Sequence, residues 1–169
     1  LDGIEYDKKF IFQEPGYNLE PSEISAAFAL EQLKKLNKNI AIRKKNFDLH
    51  YNFFKNYKKY FVLPKLNKEV KTAWLAFPII IKKNKIFSRK KMQIFLERNN
   101  IQTRVIFTGN ILRQPAFKHL SKYYKKNSFP NSDFVMRGGM LLGLHQGLSY
   151  SQIKYVHNKI KKFFKNLKI

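Results

Sequence analysis

The sequence predicts a two-layer α/β domain of the α+β kind. Three observations carry that expectation. Short segments rich in β-branched and aromatic residues alternate with segments of helical period. Recognisable helix-start signals precede two of the helical segments. An apolar share of 44% is enough to bury a core, despite a net charge of +23. The 169 residues correspond to one domain, or one domain with a stub of another.

Taken in chain order, Leu1–Gly16 reads as extended or irregular, with Phe10 and Phe12 alternating as in a short strand. A helix opens at Pro21 or Ser22, and its apolar face runs Ile24, Ala27, Phe28, Leu33, Leu36 and Ile40. Asn37 and Asn39 break or bend it before a second stretch carrying Phe47, Tyr51, Phe54 and Tyr57 on one face. Pro64 and the polar run to Lys71 form a loop. Thr72–Ile81 is a strand, and Pro78, which has no N–H to donate, assigns it to an edge or a bulge. Ser88 is an N-cap with Phe87 and Met92 at staple spacing, and its helix runs to about Asn99. Ile101–Phe107 is a second strand, Gly109–Pro115 a loop, and Ala116–Lys122 a turn or two of helix. A short helix from Pro130 stops at Gly138-Gly139, before a third strand at Met140–Leu144. Ser149 and Gln152 form a capping box for the last helix, with Leu148 and Ile153 at the staple positions. The predicted core comprises Trp74, Phe77, Ile79, Phe95, Leu96, Val105, Leu142, Ile153, Val156 and Ile160.

Composition narrows the chemistry. There is no cysteine, so disulfides, zinc thiolates and cysteine nucleophiles are absent from these residues, which fits a reducing, cytoplasmic setting. No apolar run approaches the roughly 20 residues of a membrane span. The positive charge invites a nucleic-acid reading, but 28 of the 34 basic residues are Lys and they are dispersed in pairs. That pattern suits solvated faces better than specific nucleic-acid recognition; a basic module for nucleic acid or another anionic surface is the alternative reading. Seven of 11 carboxylates lie in the first 31 residues, and beyond Glu97 only Asp133 remains, placed to serve a helix start. The four His residues lack metal-ligand spacing, so no metal site is expected.

Three polar constellations remain. Asn18, in EPGYNLEPSE, sits on a turn ahead of a helix N-terminus, where an anion is favoured. Thr103–Pro115 places Arg104 in a strand and Asn110 and Arg113 in the following loop, groups suited to a phosphate or a polyhydroxylated ligand. In Leu144–Ser149, His145 follows a strand. Each also has a plain structural reading, as a turn, as loop ion pairs and hydrogen bonds, and as a helix lead-in.

The blocks GYNLEPSEISAAFALEQLKKL, TRVIFTGNILRQPAF and VMRGGMLLGLHQGLS, in that order and followed by a terminal helix, resemble the C-terminal portion of the DegT/DnrJ family. The second block is most similar to the NDP-4-keto-6-deoxyhexose 3-dehydratase branch. The resemblance implies the C-terminal small domain of the aspartate-aminotransferase (fold type I) fold, a small antiparallel sheet covered by helices and preceded by a bridging helix. It divides the chain into a tail of the large cofactor domain (1–21), a bridging helical segment (22–64) and the small domain (65–169). It further implies a homodimer using pyridoxal or pyridoxamine 5'-phosphate on a nucleotide-activated 4-keto-6-deoxyhexose, for lipopolysaccharide or surface polysaccharide. An iron–sulfur reductase would be a further partner if the parent is a 3-dehydratase. Asn18 would reach the cofactor phosphate of the neighbouring subunit; Arg104 and Asn110 would line the sugar-nucleotide cleft, with Arg113 and His145 as further substrate contacts. The family's Schiff-base lysine, or the histidine replacing it, lies upstream of the GYN block. The chain is therefore expected to be a fragment with no catalytic residue of its own.

Overall fold

A computed structural model describes residues 17, 19–65, 67, 69–107, 109–124 and 128–168. The expected strand around Phe10 and Phe12 lies outside the described residues. The chain divides into two compact units, Leu1–Leu36 and Asn37–Ile169. The helix before residue 64 contributes Phe47 and Phe54 to the core of the second unit.

In the first unit, helix α1 spans Glu23–Lys34, with Ser22 as an N-cap whose side chain makes no capping bond. None of its residues is buried. The break after it comes at Lys35, two residues before Asn37.

The second unit is built on an antiparallel four-stranded sheet of order β1-β2-β4-β3. Its strands are β1 (Phe61–Val62), β2 (Ala76–Ile81), β3 (Thr103–Val105) and β4 (Gly139–Gly143). Sequence reading finds three of these. It misses β1, whose two residues are too few for a period-2 pattern to register. β1 pairs only with Ile80 and Ile81, so on that side Pro78 has no strand neighbour among the described residues and interrupts no ladder there.

The register sorts the two faces. Phe77 lies opposite Leu142, Ile79 opposite Met140, and Thr103 opposite Leu142, all on one face. Helices α2 (Leu36–Phe54), α3 (Arg89–Glu97) and α5 (Tyr150–Asn166) supply the side chains that cover it. Phe47 and Phe54 come from α2, Met92 and Leu96 from α3, and Ile160, Phe163 and Phe164 from α5. Each fully buried side chain of this size contributes about 1.5–3 kcal/mol. Aromatic edges and faces then fix the packing: Phe54 meets Phe61 edge-on at 5.1 Å, and Tyr57 stacks on Phe164 at 4.7 Å. Trp74 stacks on Phe47 at 4.7 Å; like Phe95 and Val156 it is half-buried and packs against the core. Val105 departs from the expected core, being 46% exposed at the end of the edge strand β3.

The caps form as their residues dictate. The Ser88 hydroxyl accepts the Lys91 N–H, and Ser149 and Gln152 complete a reciprocal capping box. Helix α4 (Pro130–Gly138) runs directly into β4. A side chain at Gly138 would stand 2.3 Å from the Ile81 carbonyl oxygen, so only glycine allows α4 this close to β2.

Candidate functional site

On the other face of the sheet, Arg104 lies opposite Leu141, and Leu141 opposite Pro78. Arg104 is exposed there and makes no hydrogen bond or ion pair among the described residues. Its place follows from β-strand parity: the buried Thr103 turns inward, so its neighbour turns outward.

Past β3 the chain turns at Gly109, whose φ of +64° is a left-handed conformation that suits glycine. The turn delivers Asn110 to a buried position. Its Oδ1 accepts the Leu112 N–H (3.1 Å), capping a 3-10 turn at Ile111–Arg113, and its Nδ2 donates to Asp133 Oδ1 (2.8 Å). Arg113 donates through Nε and Nη2 to the two carboxylate oxygens of Asp133, the bidentate fork of an arginine–carboxylate pair. Arg137, one turn along α4, stands 3.5 Å from the same carboxylate. The hydrogen bonds from Arg113, then that from Asn110, hold the Asp133 carboxyl well below the usual carboxylate range; burial opposes them. Asp133 in turn pushes the Arg113 guanidinium up. Asp133 also lies in the first turn of α4, where negative charge suits the helix dipole. Asn110 and Arg113, both named from sequence as ligand contacts, thus spend these donors on fastening their loop to α4.

His145 lies at the other end of β4. It is exposed; its Nδ1 accepts the Gly147 N–H (2.9 Å), so a neutral ring carries its proton on Nε2. Helix α2 holds this turn: Asn46 Nδ2 donates to the His145 carbonyl (3.2 Å), and Arg43 Nε donates to Gln146 Oε1 (2.9 Å). Five residues of β4 at about 3.4 Å each put the two ends on the order of 14 Å apart. The structure therefore gathers Asn110, Arg113 and Asp133 into one cluster and leaves His145 apart from it. Asn18 lies outside the described residues.

Two polar groups that sequence reading left unconnected meet in the core. His157 Nε2 and His50 Nδ1 are 3.1 Å apart, and His157 stacks on Phe53 at 4.1 Å. Burial lowers His50 to about 3, helped by His157; burial and then Lys161 lower His157 to about 4. The only prior signal was that His50 falls one helical turn before Phe54 and His157 one turn after Ile153. No group of three or more metal-ligating side chains occurs among the described residues. Every described lysine is exposed except the half-buried Lys159, and the buried carboxylate, Asp133, is engaged by Arg113 and Asn110.

Known proteins share stretches of this sequence and its fold. The chain is 31% identical over 159 residues to the lipopolysaccharide biosynthesis protein RfbH of Salmonella typhimurium, covering 94% of this chain and 36% of that protein. It is 32% identical over 160 residues to the GDP-4-keto-6-deoxy-D-mannose 3-dehydratase of Escherichia coli O55:H7, covering 93% and 40%. The crystal structure of the E. coli 3-dehydratase with bound hydrated PLP superposes with a TM-score of 0.73 at 31% identity, over 90% of this chain and 39% of that one. An aminotransferase from Psychrobacter cryohalolentis superposes with a TM-score of 0.80 at 16% identity, over 98% and 45%, a likeness of fold alone. The chain spans about two fifths of the length of these relatives. The pattern of the DegT/DnrJ/EryC1/StrS aminotransferase family matches residues 1–161, nearly the whole chain, and the chain belongs to that family.

Proposed function

We propose that this chain is the C-terminal portion of a pyridoxal- or pyridoxamine-phosphate-dependent enzyme acting on an NDP-4-keto-6-deoxyhexose. The reaction is 3-deoxygenation or transamination, in the making of lipopolysaccharide or another surface polysaccharide. The observation that carries this reading is likeness to 3-dehydratases in both sequence and fold over nine tenths of the chain. Residues 65–169 would be the small domain, 22–64 the bridge and 1–21 the tail of a large cofactor-binding domain. The whole enzyme would be a cytoplasmic homodimer, with an iron–sulfur reductase as partner if it deoxygenates.

The cofactor, when bound, supplies an electron sink for bond cleavage at the sugar. The chain's own share is binding and orientation. Asn18 would donate to the cofactor phosphate of the neighbouring subunit. Arg104, exposed and uncommitted, would meet the sugar nucleotide from the open face of the sheet. Asn110 and Arg113 act through Asp133, keeping the loop after β3 in one shape. His145, held at Nδ1 and offering Nε2–H, would be a further donor. None of the described side chains carries the bond-breaking step.

The test is the full-length protein of which this chain is the C-terminal part, loaded with cofactor and given glutamate and GDP-4-keto-6-deoxymannose. Mass spectrometry of the sugar nucleotide should find either loss of the C3 oxygen or gain of an amino group. An unchanged 4-keto sugar across several nucleotide forms would sink the proposal.

A further inference from the structure

Helices α3 and α5 each bury one stripe against the sheet, and between their outer sides runs a groove of about 330 Å³. The two helices are antiparallel: Phe95 meets Phe163 at 5.2 Å, and the Tyr155 hydroxyl donates to the Asn99 carbonyl (3.1 Å). Ile94, Phe95, Phe163 and Leu167 form the floor of the groove, and Lys91 and Arg98 stand at its two ends on α3. Because α3 and α5 cover the face of the sheet opposite Arg104, the groove is separate from the open face that carries Arg104.

A lysine-rich surface follows from this chain's composition; an apolar floor between two cations does not. Met92 and Leu96 are the buried residues of α3, and Ile94 falls roughly 200° round the helix from Met92. Ile94 stands 42% exposed, on a second stripe that runs Lys91, Ile94, Phe95, Arg98 at i, i+3, i+4 and i+7. Phe95 and Leu167 pack against the core yet stay half-buried. Both cations are unspent: neither the Lys91 ammonium nor the Arg98 guanidinium makes a hydrogen bond or ion pair among the described residues. No carboxylate lines the groove, and Glu97, the carboxylate of α3, accepts the Thr103 N–H (2.6 Å) and hydroxyl (2.9 Å). Helix α5 contributes five lysines and no acidic residue, with Lys161, Lys162 and Lys165 at spacings where like charges repel. The field over the groove is therefore positive and unopposed. Lys91 and Arg98 lie about 10 Å apart along the helix axis, at roughly 1.5 Å per residue.

We propose that this groove docks an acidic amphipathic helix of a partner protein, with carboxylates at its positions i and i+7 and apolar side chains at i+3 and i+4. That spacing is the complement of the α3 stripe: the carboxylates meet Lys91 and Arg98, Arg98 through its planar fork, and the apolar pair displaces water from Ile94, Phe95 and Leu167. Charge complementarity selects an acidic partner, and relieving the repulsion along α5 adds to the attraction. A concave floor suits an inserted side chain, whereas a lipid surface takes apolar side chains that protrude. The site does not rest on the proposed activity, because it needs only the outer side of the second unit.

The experiment is fluorescence anisotropy with a labelled alanine-based helical peptide carrying Glu at i and i+7 and Leu at i+3 and i+4. It is titrated with the 169-residue chain at about 0.15 M salt, where diffuse charge attraction is screened beyond about 8 Å. Saturable binding is expected, about tenfold or more tighter than for a peptide of the same composition with those residues scrambled off one face. Lys91→Gln with Arg98→Gln should weaken it by about tenfold or more, the loss expected when charge-assisted contacts are removed. Ile94→Ser should weaken it as well, through the floor alone. Lys55→Gln with Lys154→Gln removes as much charge away from the groove and should leave binding unchanged. Circular dichroism of every variant keeps unfolding from passing for lost affinity. Absence of saturable binding, equal binding of the two peptides, or equal losses in the two double variants overturns the proposal. So does binding to phosphatidylglycerol–phosphatidylcholine vesicles without binding to the peptide, which gives the surface to lipid. A dimer of the chain that is lost in Ile94→Ser, again with no peptide bound, gives the groove to a second copy and overturns it too.

Discussion

Helices α1 and α5 are both rich in large apolar residues, and they come to opposite ends. In α5, Ile153, Ile160, Phe163 and Phe164 are buried; in α1 no residue is, and Ile24 stands 84% exposed. The difference lies in how apolar residues are arranged around each axis. Those of α5 recur at three- and four-residue spacing on one stripe, with lysines filling the other side, so one layer of sheet and helices satisfies it. Those of α1 (Ile24, Phe28, Leu30 and Leu33, with three alanines between) do not form the single face that the sequence suggests: the helix ends at Lys34, before Leu36 and Ile40, and its apolar residues point to several sides. A stripe specifies which face needs cover. Apolar residues scattered among Glu23, Ser25, Glu31, Gln32 and Lys34 specify no face to cover.

The largest test of this contrast is truncation on the α5 stripe. Ile160→Ala or Phe163→Ala should cost about 2–5 kcal/mol of unfolding free energy, read by urea denaturation. Stability unchanged in both would mean that α5 does not cover the sheet.

A second test uses the His pair that joins α2 to α5. Both imidazoles are held below their ordinary 6.5, His50 at about 3 and His157 at about 4, because a proton would bring charge into the apolar core. The unfolded chain therefore takes up protons first. The pair's contribution to stability is complete above pH 6.5 and is lost as pH falls from there toward 4. The melting temperature should decline over that window, and His157→Gln should flatten the decline. Asp133, also held low, acts in a separate window: its contribution persists above the ordinary carboxylate pKa of 3.8 and goes only as pH falls below it. A slope confined to pH below 4 would show that the His pair does not titrate as its burial requires.

Smaller effects sharpen the picture. Ser149→Ala removes the hydroxyl half of the α5 capping box and should cost about 1 kcal/mol, with Ser149→Asp recovering most of it. On α1, Phe28→Ser should leave the unfolding free energy of the second unit within about 0.5 kcal/mol of the parent, the ordinary range for an exposed position. A loss as large as that of Ile160→Ala would mean the two helices are alike after all.

What the residues determined on their own was local. The capping box at Ser149, the cap at Ser88, the stop at Gly138-Gly139 and the stripe of α5 all depend on neighbours within four or five positions, and each formed where its sequence places it. The family resemblance was legible for a related reason: its three blocks are contiguous strings. Val105 looked like core because residue type predicts burial on average, and only the pairing order of the sheet makes β3 an edge. Arg113 reads from sequence as a ligand contact because its loop holds no carboxylate; its partner Asp133 is 20 positions away and meets it only when α4 folds back along the sheet. His50 and His157 are 107 positions apart, and Arg89 of α3 donates to the Met136 carbonyl of α4, 47 positions away. These pairings belong to tertiary structure because a buried charge or imidazole is satisfied by whichever group the packing brings within about 3 Å, and sequence spacing does not encode that distance.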